Sequence, residues 1–112
     1  MSLDIYLKEN QIRDEDSEEL YWCNITHNLT EMADEAGIYE VLWRPDESGY
    51  IQGKDIREKV IDGFCKLLNN PEHYKKFDSD NGWGTYDDFL GFCFEYIKAL
   101  NEFPESYIFV SR

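Results

Sequence analysis

L-D-I-Y-L-K, residues 3–8, is the stretch that decides how this chain folds. Its apolar and polar residues alternate, which is the period of a β-strand with one buried and one exposed face. Leu3, Ile5 and Leu7 are therefore predicted to face the core. A single strand is not stable in water, so this stretch needs partners, and two other segments have a similar character.

Two further strands are predicted, one following the first closely and one near the C-terminus. Leu20 to Ile25 contain aromatic and β-branched residues, and S-Y-I-F-V-S at 106–111 alternates as the first stretch does. Residues 9–18 are polar and acidic without a period, so we expect a hairpin with a mobile acidic tip between the first two strands. The last strand is expected to pair with the first or with the second.

Helical spacing dominates the rest of the chain. From Asp55 onward an apolar residue returns every three or four positions, and the same pattern follows Thr85, which together with Asp88 predicts a helix N-terminus. The apolar positions are Ile56, Val60, Ile61, Phe64, Leu67 and Leu68 in the first helix, and Phe89, Leu90, Cys93, Ile97 and Leu100 in the second.

Shorter segments accompany these two helices. Asn28, with Glu31 three residues later, predicts the N-cap of a helix that ends at Gly37. Residues 38–44 are expected to form a short helix or an extended segment, and residues 71–77 about two helical turns. These elements predict an α+β fold in which a small antiparallel sheet, the N-terminal hairpin plus the C-terminal strand, packs against three to four helices.

The chain is short and strongly acidic. Its length fits a single domain, residues 1–112, and 24 acidic against 11 basic side chains give a formal net charge of −13 at pH 7. Residues 1–50 hold 13 of the acidic but only 3 of the basic side chains. We expect no direct binding to nucleic acid, because phosphate contacts need Lys and Arg. The charge either meets a basic protein surface, as a nucleic-acid mimic does, or only keeps the protein soluble.

Cysteine usage and hydropathy bear on the compartment. Cys23, Cys65 and Cys93 are widely spaced and form no C-x-x-C pair, which indicates free thiols in a reducing compartment. The N-terminus lacks a signal-peptide pattern, and no apolar stretch is long enough to cross a bilayer. We therefore expect a cytoplasmic protein that does not contact a membrane, and we interpret the Asn-x-Thr sequons at Asn24 and Asn28 as coincidental.

A cluster of hydrogen-bonding side chains lies where the second strand meets the following helix. Y-W-C-N-I-T-H-N-L, residues 21–29, contains Asn24, Thr26, His27 and Asn28. Caps and turns account for one or two such residues, so the surplus of donors and acceptors suits recognition of a polar ligand. His27 could act as a general base, as a metal ligand, or as a hydrogen-bonding residue that pins the junction.

A tryptophan and an arginine lie together in L-W-R-P, residues 42–45. Trp43 and Arg44 are of the types most enriched at binding hot spots, because both combine a large area with directional hydrogen bonding. The alternative is that Trp43 belongs to the core and that Arg44 makes a local salt bridge.

A second aromatic stretch is N-G-W-G-T-Y, residues 81–86, where two glycines flank a tryptophan ahead of a helix N-terminus. Asn81, Trp83 and Tyr86 are predicted to contact a protein or a nucleobase. A phosphate is disfavoured, because the nearby aspartates repel an anion and the Walker spacing is absent. The alternative is that Trp83 anchors the loop to the core.

No catalytic, metal-binding or cofactor-binding set is recognised in the sequence. There is no G-x-S-x-G motif and no Cys/His pair at a recognisable spacing. A metal built on His27 and His73 would need carboxylates from elsewhere. We therefore predict no metal and no cofactor, and we keep a weaker hypothesis in which His27 and a carboxylate catalyse hydrolysis.

Three stretches resemble a family of small uncharacterised proteins of bacteriophage and bacterial genomes. They are N-I-T-H-N-L-x-x-M-A-x-x-A-G-I-Y-x-x-L-W-R-P at 24–45, N-G-W-G-x-Y at 81–86 and V-S-R at 110–112. The resemblance covers most of the chain. It implies a compact accessory protein of cytoplasmic origin and brings no activity with it.

The leading functional hypothesis is a small acidic, non-enzymatic binding protein: a phage accessory factor that inhibits a host protein or defence complex. It follows from the small size, the acidity and the aromatic-rich polar stretches without a catalytic set, taken together with the resemblance. Its partner would be a basic protein surface. The alternative is a protein that binds or sequesters a small polar ligand of the nucleotide type, using Asn24, His27, Trp43, Arg44 and Trp83.

Overall fold

The computed structural model describes residues 1–11 and 18–112, and it contains a three-stranded antiparallel sheet. The strands are β1 (Ser2–Lys8), β2 (Glu19–Thr26) and β3 (Tyr107–Ser111), in the order β2-β1-β3 across the sheet. The stretch at 3–8 is thus the central strand, and the C-terminal strand pairs with it. Residues 12–17, most of the predicted hairpin tip, lie outside the described residues.

The alternation along β1 divides its side chains between two faces of the sheet. Leu3, Ile5 and Leu7 are fully buried in the core, as predicted. The register places Ile5 between Cys23 of β2 and Val110 of β3, which continues the same apolar face across all three strands. The burial of this face against the helices is what gives the sheet its stability.

The opposite face of the sheet, the outer sheet face, is built from the alternate residues of each strand. In the register, Tyr6 of β1 lies between Trp22 of β2 and Phe109 of β3. Asp4, the next outward residue of β1, is opposite Asn24. Asn24 also belongs to the polar strand–helix junction, so the outer sheet face adjoins the candidate site.

Five α-helices are present in the described residues, and two of them are long. They are α1 (Thr30–Glu35), α2 (Tyr39–Trp43), α3 (Gly53–Asn69), α4 (Pro71–Tyr74) and α5 (Tyr86–Glu102), with 3-10 turns at His27–Leu29 and Lys75–Phe77. The predicted α+β class with an antiparallel sheet is confirmed. Helix α2 decides the open choice for residues 38–44 in favour of a helix.

The helix N-termini confirm one predicted cap and correct another. At α5, Thr85 Oγ1 accepts a hydrogen bond from Asp88 N at 3.2 Å, and Asp88 Oδ2 accepts one from Thr85 N at 3.3 Å. At the junction the predicted cap is wrong, because Thr26 Oγ1 accepts from Asn28 N at 3.2 Å and a 3-10 turn precedes α1. The side chain of Asn28 bonds Trp83 instead, as described below.

Tyr96 of α5 lies between the helices and β2. It is fully buried, and its ring stacks on Tyr21 with centroids 6.1 Å apart. The Tyr96 hydroxyl has no hydrogen-bond partner among the described residues, and burial raises its pKa well above the ordinary value. A buried polar group without a partner costs free energy, so this hydroxyl weakens a core that the ring strengthens.

We predict that Tyr96→Phe raises the free energy of unfolding by about 1 kcal/mol, because it removes the unpaired hydroxyl and keeps the ring. Urea denaturation followed by circular dichroism measures the change. Tyr86→Phe is the matched control: Tyr86 Oη donates to the Leu67 carbonyl at 2.6 Å, so its loss should destabilise the protein. A loss of stability in both variants would contradict the unpaired state of the Tyr96 hydroxyl.

Candidate binding surface at the strand–helix junction

His27 and Trp43, two of the predicted binding residues, bond to each other. The indole Nε1–H of Trp43 donates to His27 Nδ1 at 2.9 Å. Trp43 is only 2 % exposed, and its ring stacks on Tyr39 with centroids 5.7 Å apart. This corrects the prediction of Trp43 as a contact residue: its ring belongs to the core, which was the alternative interpretation of L-W-R-P.

The bond defines the role of His27 at the junction. Because Nδ1 accepts, the neutral ring carries its hydrogen on Nε2. His27 therefore satisfies a buried donor and ties the end of β2 to α2, which is the pinning role among those that the sequence left open. Within residues 1–11 and 18–112, no group of three or more His, Cys, Asp or Glu side chains is arranged to hold a metal ion.

His27→Ala should lower the free energy of unfolding by about 2 kcal/mol, because the buried Trp43 N–H loses its acceptor. In a Trp43→Phe background the same substitution should cost at least about 1 kcal/mol less, since no N–H is then left unpaired. Urea denaturation of the four proteins of this cycle measures the coupling. An equal cost in the two backgrounds would show that the bond does not stabilise the junction.

Arg44 makes local contacts beside α2. Its Nε donates to Tyr39 Oη at 3.0 Å, and its Nη1 lies 2.6 Å from Glu47 Oε2. This is the local salt bridge that the sequence offered as the alternative to a binding role. Arg44 lies beside Trp43 but does not line the concavity described below.

Arg112, directly after β3, fastens the C-terminal strand to the segment that follows α2. Its Nη1 donates to the Trp43 carbonyl at 2.8 Å and to Asp46 Oδ1 at 2.9 Å. The guanidinium lowers the pKa of the Asp46 carboxyl, chiefly through this hydrogen bond. The contact joins V-S-R to L-W-R-P, two of the stretches on which the resemblance rests, and sequence reasoning missed it because no spacing signals so long-range a pair.

Tyr86 is the second predicted contact residue that lies in the core. It is 5 % exposed, and its hydroxyl donates to the Leu67 carbonyl, which links α5 to α3. Burial is the main cause of the raised pKa of its hydroxyl. The prediction of Tyr86 as a binding residue is therefore corrected, because its ring and its polar atom are both used inside the fold.

The other predicted residues share one solvent-facing concavity, which we call the Trp83 concavity. It has a volume of about 430 Å³ and is lined by Met1, Ser2, Asn24, Thr26, Asn28, Asn81 and Trp83. The strand–helix junction supplies one wall and the 81–86 stretch supplies the other. His27, Trp43, Arg44 and Tyr86 do not line it.

The asparagines of the Trp83 concavity use their amide nitrogens within the protein. Asn24 Nδ2 donates to Asp4 Oδ1 at 2.8 Å and to Ser2 Oγ at 2.9 Å, and Asn28 Nδ2 donates to the Trp83 carbonyl at 2.9 Å. Among the described residues, the Oδ1 atoms of Asn24 and Asn28 have no hydrogen-bond partner. The extra hydrogen-bonding capacity predicted from the sequence therefore consists of acceptors, the Oδ1 atoms of Asn24 and Asn28. Hydrogen bonds from the amide nitrogens already hold both side chains in place.

Trp83 is held in water by a loop with fixed geometry. Asn81 Oδ1 accepts from Trp83 N at 2.9 Å and from Ser79 Oγ at 2.6 Å. Gly82 and Gly84 have φ of +77° and +105°, which other residues rarely adopt. Trp83 is 72 % exposed, so the alternative in which it anchors the loop to the core does not describe this structure.

Gly84→Ala should cost at least about 1 kcal/mol more stability than Gly82→Ala. Both substitutions strain a positive φ, but a Cβ on Gly84 would lie 3.0 Å from Thr26 Cγ2, whereas one on Gly82 would meet nothing within 4 Å. The difference therefore reports the contact between the loop and the junction. Urea denaturation measures both values, and equal costs would contradict that contact.

No family model, curated protein or solved structure gives a significant match to this chain. The resemblance to small phage and bacterial proteins therefore stays a prediction. None of the helices in the described residues has the length and apolar character that crossing a bilayer requires.

Proposed function

We propose that this protein is a non-enzymatic binding protein that engages a basic surface of another protein through the Trp83 concavity. The exposure of Trp83 carries the proposal: it is 72 % exposed, although hydrogen bonds with Asn28 and Asn81 fix the loop around it. A large aromatic ring held in water on a fixed backbone suits an interface anchor. Its burial gains much apolar contact and loses little conformational entropy.

The acceptors around Trp83 favour a partner that brings hydrogen-bond donors. Asn24 and Asn28 line the concavity, and their Oδ1 atoms are unpaired within the described part of the chain. The net charge of −13 adds a long-range attraction for a basic surface. Such an attraction raises the association rate and weakens as salt is added.

The biological role that we propose is inhibition of a host protein or defence complex by a small cytoplasmic phage accessory factor. The resemblance of residues 24–45, 81–86 and 110–112 to phage and bacterial proteins supports the phage setting. A charge of −13 on 112 residues supports competition with nucleic acid for a basic groove. Competition of this kind needs no catalytic group.

A small polar ligand is the second candidate, and the size of the concavity favours it. A volume of about 430 Å³ suits a small-molecule site, and Trp83 could stack on a nucleobase. Thermal unfolding with a panel of nucleosides and nucleotides tests this candidate. A true ligand at about 100 times its dissociation constant adds roughly 2.7 kcal/mol to the stability of the protein, and the absence of any shift removes it.

For the leading proposal, the immobilised protein should capture a saturable basic partner from a bacterial host lysate, and Trp83→Ala should weaken the affinity at least about 30-fold. That factor corresponds to the loss of about 2 kcal/mol typical of a hot spot. Calorimetric titration with the captured partner measures it. Phe94→Ala is the matched control, because Phe94 is 51 % exposed on α5 and does not line the concavity.

Two outcomes would contradict the proposal. If Trp83→Ala and Phe94→Ala both bind the partner as tightly as the unaltered protein, the concavity is not the interface. If the captured partner is acidic, or its affinity does not change between low and moderate salt, charge complementarity does not drive the association.

A further inference from the structure

The outer sheet face carries a row of aromatic side chains that the Trp83 concavity does not include. Trp22, Tyr6 and Phe109 are register partners on three adjacent strands, so they are neighbours across the sheet. Trp22 is 52 % exposed. The next outward pair along the strands is Asp4 and Asn24, and Asn24 also lines the concavity.

Asp4 presents a carboxylate that is fixed beside Trp22. Its Oδ1 accepts hydrogen bonds from Trp22 Nε1 at 3.3 Å and from Asn24 Nδ2 at 2.8 Å. Its Oδ2 has no hydrogen-bond or ion-pair partner among the described residues, and neither has Asn24 Oδ1. An exposed indole ring and two adjacent acceptors are thus held together, and no cation of residues 1–11 or 18–112 forms an ion pair with Asp4.

The chain itself places a cation over another part of the same row. Lys8 Nζ lies 5.9 Å from the centroids of both the Tyr6 ring and the Phe109 ring, which is within the range of cation–π attraction. Over Trp22 there is no such cation in the described part of the chain. Indole is the aromatic side chain that attracts cations best, so Trp22 is the strongest position for a cation in the row.

We propose that Trp22, Asp4 and Asn24 form a subsite for an arginine side chain of a protein partner. The guanidinium plane stacks on the Trp22 ring, and its N–H groups donate to Asp4 Oδ2 and Asn24 Oδ1. Arginine fits this arrangement better than lysine, because its planar group stacks and donates in several directions at once. This inference rests on the basic partner of the proposed function and extends the interface along the sheet.

Charge complementarity selects an arginine over a neutral or an acidic occupant. Residues 1–50, which include β1 and β2, carry 13 acidic and 3 basic side chains. Glu9 and Glu18, which face each other across the base of the hairpin, are both exposed and add negative potential near the aromatic row. An acidic side chain at the subsite would instead be repelled by Asp4.

The probe is a short acetylated peptide of alternating glycine and arginine, titrated into the isotope-labelled protein at low salt. We expect saturable shifts in the backbone amide signals of residues 4 and 22–24 and in the indole N–H signal of Trp22. A peptide with citrulline keeps the shape of arginine without its charge, and a peptide with lysine keeps the charge without the plane. Both should bind at least about 10-fold more weakly.

Asp4→Asn is the decisive variant, because its side chain has the same shape and its oxygen can still accept from Trp22 and Asn24. It should weaken binding of the arginine peptide at least about 10-fold. Trp22→Leu, at a half-exposed position, should have a similar effect. Asp34→Asn is the matched control, since Asp34 is an exposed aspartate on α1, away from the sheet.

The inference is overturned if the citrulline or the lysine peptide binds as tightly as the arginine peptide. It is also overturned if Asp4→Asn and Trp22→Leu bind the arginine peptide like the unaltered protein. Trp83→Ala distinguishes the two proposals, because it should weaken binding of the captured partner and leave the affinity for the arginine peptide at Trp22 unchanged. Peptide binding at Trp22 without any partner in the lysate would support the subsite and count against the proposed function.

Discussion

The hydrogen bond from Trp43 to His27 is the constraint on which the rest of this structure depends. The indole ring has to be buried to complete the core, and its N–H then needs an acceptor where water does not reach. His27 supplies that acceptor, so the end of β2 has one allowed position relative to α2. The Trp43 carbonyl also accepts from Arg112, which ties β3 to the same point. The junction that supplies one wall of the Trp83 concavity is thus tied to the core through one buried donor.

Hydrophobic alternation and capping pairs in the sequence predicted the parts of the fold that depend on residues close together in the chain. The alternation in residues 3–8 identified the buried face of β1, and the Thr85–Asp88 pair identified the start of α5. The cap predicted at Asn28 was wrong, because Thr26 offers an equally good acceptor two residues earlier. Whether Thr26 or Asn28 provides the cap depends on the other hydrogen bonds that each side chain makes. The side chain of Asn28 bonds the Trp83 carbonyl, which is remote in sequence.

The candidate site could be predicted only in part, and for the same reason. The polar side chains at the junction were visible in the residue types, which left open whether Trp83 contacts a partner or anchors its loop to the core. Trp43 is named as a contact residue because tryptophan is enriched at binding hot spots, with a core position as the alternative, and Tyr86 because it belongs to the stretch at 81–86. Both side chains also carry polar atoms. Those atoms have partners inside the protein instead, His27 and the Leu67 carbonyl, and no spacing in the sequence reveals either pair.

Under the proposed function, the fold and the interface use different atoms of the same side chains. Asn24 and Asn28 donate from nitrogen to their own chain, and Asp4 accepts through one oxygen, so an oxygen of each has no partner within residues 1–11 and 18–112. Side chains fixed in this way lose little rotamer freedom when a partner binds, which lowers the entropic cost of association. Because the atoms left over are acceptors, they suit the donor-bearing partner that we propose. The acidic composition would attract the same proposed basic surface at long range, so the charge and the hydrogen-bonding pattern support one proposal.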